Sequence, residues 1–256
     1  MKTFLKVIVG IVAAIVLLVA AVFYFTSGLV DTADAFFQAV KRQDIAAART
    51  YLAEDFKANT DETALRAFLA KTALLNFKQA SWSSREITNG RGELRGSVTT
   101  ESGGNIPVTL TFVKENGGWK IYSLRKPSAG ITSDTENPVP NEPERIALAK
   151  RTMDDFTASV RAGNMQQFRA STSQLWQQQF PLEKFEDAFR SAYSVREVFD
   201  EIADRQPLLK AGDGLGEHGE LKVSGSFTGR SHNVEFDAKY IYEGSDWKLI
   251  GFHFKV

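Results

Sequence analysis

No cysteine occurs in the 256 residues. That excludes disulfides, thiolate metal sites and a lipid-modified cysteine anchor, so any exported part must be stable through packing alone. Histidine is scarce: His218, His232 and His253 are the whole supply. They have neither i,i+4 nor HExxH spacing, so no metal site is expected. A charge surplus is missing too, with 31 basic residues against 31 acidic ones. Nucleic acid is therefore not implied as a partner. There is no GxSxG or Walker motif, and no cofactor is implied. The loop Gly212-Asp213-Gly214-Leu215-Gly216 superficially resembles a phosphate loop. It leads into a strand-like segment, so no helix N-terminus is supplied for phosphate.

What is present begins with an apolar run, Val7 to Phe25, of 19 residues without charge or proline. At about 1.5 Å per residue it reaches roughly 28 Å, close to the ~30 Å hydrocarbon core. Lys2 and Lys6 precede it, and no acid occurs before Asp31. The sequence thus predicts a single-pass transmembrane anchor (a signal-anchor) in the cell membrane. Its N-terminus is expected to be cytoplasmic, and the rest of the chain periplasmic or extracellular. A cleaved signal peptide would start the same way. The length of the run and its aromatic end, Val22-Phe23-Tyr24-Phe25, favour the uncleaved anchor.

Proline numbers seven, and four of these fall in Pro127–Pro143, PSAGITSDTENPVPNEP. Proline removes amide donors and disfavours helix before it, so this stretch reads as an extended acidic linker. The expected organisation is an anchor over 1–29, a first domain over 30–126, the linker over 127–143 and a second domain over 144–256.

The two domains read as repeats. At an offset of 120, Phe36, Val40, Asp44, Ile45 and Arg49 match Phe156, Val160, Asn164, Met165 and Arg169. Gly92-Glu93-Leu94-Arg95 matches Gly219-Glu220-Leu221-Lys222 at 127, and Trp119-Lys120-Ile121 matches Trp247-Lys248-Leu249 at 128. A growing offset points to an insertion within 195–218. Each half opens with helical spacing, as in Phe36, Phe37, Val40, then Ile45, Ala48, Leu52. Asp44 and Asn164 suit the N-cap of a second helix. Third helices are predicted over Asp61–Leu74 and Leu182–Tyr193. Alternation of period two follows in Ile106–Phe112 and Val234–Tyr242, with hairpin turns at Asn116-Gly117-Gly118 and Gly244-Ser245. The fold class is α+β: three helices on a curved antiparallel sheet, twice, plus one transmembrane helix.

The segment AFFQAVKRQDIAAARTYLAEDF, its looser counterpart ASVRAGNMQQF, and the closing GGWKIYSLR and SDWKLIGFHF resemble the NTF2-like (SnoaL-like, cone-shaped α+β) superfamily. The resemblance covers most of 31–126 and 144–256. It implies a tandem of cone-shaped domains, which often pair through the open sheet face, so the two halves of this chain are expected to be able to pair. It leaves function open, because the superfamily holds isomerases, dehydratases and non-enzymatic binding or assembly domains.

In that superfamily's enzymes an Asp, His or Tyr stands inside the cone. Strand alternation puts Trp119, Ile121, Ser123 and Arg125 on one face, and Trp247, Leu249, Gly251 and His253 on its equivalent. Tyr240 and Tyr242 share the apolar face of their strand. Ser123, Arg125, Tyr240, Tyr242 and His253 are therefore the candidate cone-lining, ligand-binding residues. No catalytic residue is assigned. Trp176 aligns with Phe56 and reads as core, while Trp82 between two serines reads as surface. The functional expectation is a membrane-tethered, non-catalytic binding or assembly module for a protein partner. The alternatives are a binder of a small apolar ligand, or an isomerase- or hydrolase-like enzyme using His253 with Tyr240 or Tyr242.

Overall fold

The structure, a computed structural model, describes residues 27–126, 140–216 and 219–256. It divides into two compact units that meet in sequence at Lys126 and Pro127. Both are α+β, and each carries one four-stranded antiparallel sheet.

In the first unit, helix α1 (27–41) turns Leu29, Ala33, Phe36, Phe37 and Val40 inward at three- and four-residue steps, and all are fully buried. Fully burying one such phenylalanine stabilises by roughly 1.5–3 kcal/mol. Gln43, with φ 60°, breaks the helix. Asp44 then caps α2 (Ile45–Arg49) by accepting from the Ala47 amide at 2.9 Å. Helices α3 (Glu54–Asn59) and α4 (Glu62–Lys71) follow, α4 capped by Asp61. Four strands form a meander in the order β1-β2-β3-β4: β1 (Phe77–Thr88), β2 (Arg91–Thr100), β3 (Asn105–Glu115) and β4 (Gly118–Arg125).

The second unit opens with α5 (Glu142–Ala162), whose capping box joins Asn141 to Glu144. Glu142 and Pro143 thus belong to a helix and not to the expected linker. Gly163, at φ 72°, ends α5. Met165 takes the N-cap position of α6 (Gln166–Ser171), while Asn164 Oδ1 accepts from the Gln166 amide. Helices α7 (Gln174–Gln179), α8 (Leu182–Tyr193) and α9 (Arg196–Ile202) precede β5 (Leu208–Leu209), β6 (Leu221–Thr228), β7 (Asn233–Glu243) and β8 (Asp246–Lys255). The sheet order is β5-β6-β7-β8. Helix α9 and the short β5 occupy the stretch where the offset grows.

The expected fold class needs correction. Among the described residues the helices number four and five, and not three and three, because α3, α7 and α9 are single or double turns too short to show periodicity. Among the described residues no helix is long and apolar enough to cross a membrane. The longest, α5, carries Glu142, Glu144, Arg145, Lys150, Arg151, Asp154, Asp155 and Arg161 along its 21 residues. The expected span 7–25 lies outside the described residues. The expected single-pass cell-membrane localisation is accordingly not supported, and the fold stands as two four-stranded α+β units.

Several devices recur in both units. Glu115, at the end of β3, accepts from the Glu54 amide at 3.1 Å, and Glu243, at the end of β7, accepts from the Gln174 amide at 3.0 Å. Each carboxylate thereby meets the orphan amides and positive dipole end of a short helix. Arg49 donates to the carbonyls of Lys57 and Thr60, and Arg169 to those of Gln177 and Phe180, tying off the other end of the same helix. The Ala53 amide donates to the Ile121 carbonyl at 2.8 Å, and the Ser173 amide to that of Leu249 at 2.9 Å.

Candidate functional site

The site depends on where β8 turns its side chains. Tyr240 pairs with Leu249 but Lys239 pairs with Gly251, so Ile250 is an extra residue on β8. A bulge of this kind breaks the period-two alternation. Upstream of it Trp247 and Leu249 face the helices. Downstream, Phe252 and Phe254 do so, and His253 lies across from Asp237 and is exposed.

The same shift occurs in β4, where Tyr122 is the extra residue between the pairs Phe112–Ile121 and Thr111–Ser123. Leu124 therefore enters the core, while Ser123 and Arg125 pair with Thr111 and Thr109, which alternate with core residues Val108, Leu110 and Phe112. The Ser123 and Thr111 hydroxyls lie 2.6 Å apart.

Of the five expected cone-lining residues, only two keep to the inner face. Tyr240 is buried, its hydroxyl 2.8 Å from that of Thr152 on α5. Burial pushes its phenol well above the ordinary range, with the Thr152 hydrogen bond working the other way. Tyr242 stacks edge-on against Trp247 and donates to the Ser245 carbonyl at 2.9 Å. Ser123 and Arg125 are on the outer face of their sheet; His253 pairs with Asp237 and alternates outward, yet at the strand's end it borders an aromatic pocket. The structure does not bring His253 together with either tyrosine: both phenols are committed elsewhere.

What the second unit does assemble is an aromatic pocket. A concavity of about 290 Å³ lies between α7, α8 and the end of β8. Trp176, Phe180, Phe185, Phe189, Phe252 and Phe254 supply its aromatic walls, joined by Lys184, Ala188, Ser191 and His253. The rings contact one another, Trp176 with Phe185 at 4.8 Å and Phe185 with Phe189 at 5.9 Å. Phe180 stands at the rim, 44% exposed, its carbonyl held at 2.9 Å by Arg169 Nε. Helix α8 is fixed by Glu186, which accepts from the Met165 amide at 2.6 Å and from the Tyr193 hydroxyl at 2.5 Å. Desolvation, then the Glu186 hydrogen bond, push the Tyr193 phenol above its ordinary value.

The matching positions of the first unit are filled. Phe56, Leu65, Leu69 and Leu124 stand where Trp176, Phe185, Phe189 and Phe252 stand in the second, and all four are fully buried. The sequence signal for the pocket is aromatic enrichment: at the repeat offset Phe180, Phe185 and Phe189 stand where Thr60, Leu65 and Leu69 stand in the first unit. Trp82 packs on Phe37 at 6.3 Å and donates its indole N–H to Asp34, so it is tied to the unit's own core.

Among the described residues no group of three or more His, Asp or Glu side chains is placed to hold a metal ion. No family model matches the chain, and no curated protein matches it. Among solved structures it is similar to a cystatin-like protein from Ruminococcus gnavus. The match has a TM-score of 0.28 and 10% identity, over 90% of this chain and 89% of that one. A likeness of that grade carries no argument about fold or function.

Proposed function

We propose that this protein is a binding module without chemistry of its own, built from tandem NTF2-like domains, and that its second unit holds a small apolar ring compound in the α7–α8–β8 pocket. The observation that carries this is the pocket wall, six aromatic side chains around about 290 Å³. That volume sits at the lower end of small-molecule sites, which begin near ~300 Å³. It suits one or two fused rings. Aromatic walls offer edge-to-face and offset contacts to such a ring, worth about 0.5–1.5 kcal/mol per pair beyond area burial. The tandem reading is supported by the paired carboxylate and arginine caps and by matching bulges in both units.

The test is calorimetric titration of the full chain with 2-naphthylmethanol, a neutral two-ring probe. Saturable one-site binding is expected, with a dissociation constant of roughly 0.1 mM for a ligand of that size. Ala188 lines the pocket from an exposed helix position. Ala188→Phe should therefore fill the site without disturbing the core, and abolish binding. Heat signals that never saturate, or that are unchanged in the variant, would refute the reading.

A further inference from the structure

The pocket's charge is one-sided. On α8, Lys184, Ala188 and Ser191 follow one another at helical steps of four and three, and all three line the pocket beside Phe185 and Phe189. The acids of α8 lie elsewhere. Glu183 and Asp187 fall on the stripe that runs to Arg190, where Asp187 and Arg190 pair at 2.5 Å. Glu186 is committed to Met165 and Tyr193. No carboxylate lines the pocket. The Lys184 side chain makes no ion pair, hydrogen bond or ring contact with any described residue. It also stands in the first turn of a 12-residue helix whose N-cap, Pro181, offers no side-chain cap, so the positive end of the helix dipole adds to its field. On the strand side, the His253 imidazole also borders the pocket, while Asp237, across the ladder from it, is not among the lining residues.

We propose that the ligand class of this site is an aromatic carboxylate, its ring system seated among Trp176, Phe185, Phe189 and Phe252 and its carboxylate met by the Lys184 ammonium at the mouth. This rests on the pocket reading above and sharpens it from a ring to a ring bearing an anion. An apolar wall lowers the local dielectric, so an ammonium at its edge attracts an anion more strongly than a fully solvated lysine does. An unpaired, exposed lysine at the mouth of an apolar pocket also selects against amines, which would meet like charge.

The experiment compares 2-naphthoate, 2-naphthylmethanol and 2-naphthylmethylamine on the full chain at low ionic strength, in wild type, Lys184→Gln and Lys184→Glu. Naphthoate should bind about two- to fivefold tighter than the neutral alcohol, as one exposed ion pair gives, and the amine should bind weakest. Lys184→Gln should remove the difference while leaving the alcohol's affinity within about twofold, which also shows that the pocket is intact. Lys184→Glu should reverse the order of acid and amine. Equal affinity for acid and alcohol in the wild type, or a preference that survives Lys184→Gln, would overturn the assignment and leave the aromatic pocket standing. Failure of all three probes to bind would overturn the pocket reading itself, and this assignment with it.

Discussion

Tyr122 and Ile250, 128 residues apart, are each the extra residue of a β-bulge in the last strand of their unit, and the flanking pairs correspond one for one: Phe112–Ile121 with Tyr240–Leu249, and Thr111–Ser123 with Lys239–Gly251. A bulge is a backbone feature, and the two residues that form it here, Tyr122 and Ile250, are unlike each other. Its recurrence at one register in two sheets is therefore stronger support for duplication than any matched side chain. It also decides what the pocket is made of, because it turns Phe252 and Phe254 toward the helices and His253 away.

Deleting Ile250 should remove the bulge and leave the faces as they are. Without the extra residue Leu249 is followed directly by Gly251, so simple alternation keeps Phe252 and Phe254 inward on the pairs they already make. Their packing on Phe156 at 5.2 and 5.3 Å should survive. The expected cost is below about 2 kcal/mol, since only the half-buried Ile250 side chain is lost, read by urea unfolding, with naphthyl binding retained; loss of binding would show that the bulge itself shapes the pocket. Deleting Tyr122 should leave that binding unchanged, because the pocket belongs to the other unit.

Glycine at two matching positions makes a second prediction. A Cβ on Gly96 would stand 2.0 Å from the Ser81 carbonyl oxygen, and one on Gly225 would stand 2.4 Å from that of Leu208. In both cases the obstacle is the backbone of the edge strand, which can move only by giving up its ladder. Gly96→Ala and Gly225→Ala should each destabilise by about 1–3 kcal/mol. The loss should fall first on amide protection of β1 in the former and of β5 in the latter, both measurable by hydrogen exchange.

These glycines also mark where sequence comparison slipped. Matching Gly92-Glu93-Leu94-Arg95 to Gly219-Glu220-Leu221-Lys222 puts Leu94 with Leu221. The ladders instead put Leu94, across from Leu110, with Val223, across from Ala238, and Gly96 with Gly225. Side-chain identity over four residues is weak where strands repeat the same alternation, and a shift of two preserves every inward position. The helices were more legible. A face spaced at three and four residues, a break at positive φ and an Asp at the cap fix α1 and α2 closely. The bulges were harder to see. In β8 Ile250 stands between Leu249 and Gly251, where no break in pattern announces an extra residue, and in β4 the one sign is the three-residue step from Ile121 to Leu124 with Ser123 and Arg125 polar. That one blind spot put Ser123 and Arg125 on the wrong face, set His253 inside the pocket instead of at its border, and hid Phe252 and Phe254 from the list of lining residues.

The paired carboxylate caps should differ in strength. Glu243 is fully buried where it meets the Gln174 amide, whereas Glu115 makes the same contact with Glu54 in solvent. Glu243→Ala should cost roughly 1–2 kcal/mol, in the range of a lost N-cap, and Glu115→Ala below about 1 kcal/mol because water replaces the lost acceptor. Native-state exchange of the Gln174 and Glu54 amides reads each effect locally. Equal losses at the two sites would show that burial is not what sets the contribution.

Alkaline pH should weaken the second unit specifically. The Tyr240 and Tyr193 phenols are both held above the ordinary tyrosine value of 10.0, first by desolvation. A raised folded-state value means that the folded protein keeps a proton that the unfolded chain releases. The stabilisation is fully present below about pH 10 and is lost as pH rises from there through the folded value. For the buried Tyr240 the slope approaches roughly 1.4 kcal/mol per pH unit within that window. Tyr240→Phe should remove its share of the slope. At neutral pH it should cost about 1–2 kcal/mol, since it leaves the buried Thr152 hydroxyl without its partner. Tyr193→Phe should act on the slope more weakly, because that phenol is better solvated. Urea unfolding between pH 8 and pH 11, with the tyrosine absorbance followed in parallel, separates the two. Stability that falls just as steeply in the double variant would place the alkaline sensitivity in other groups.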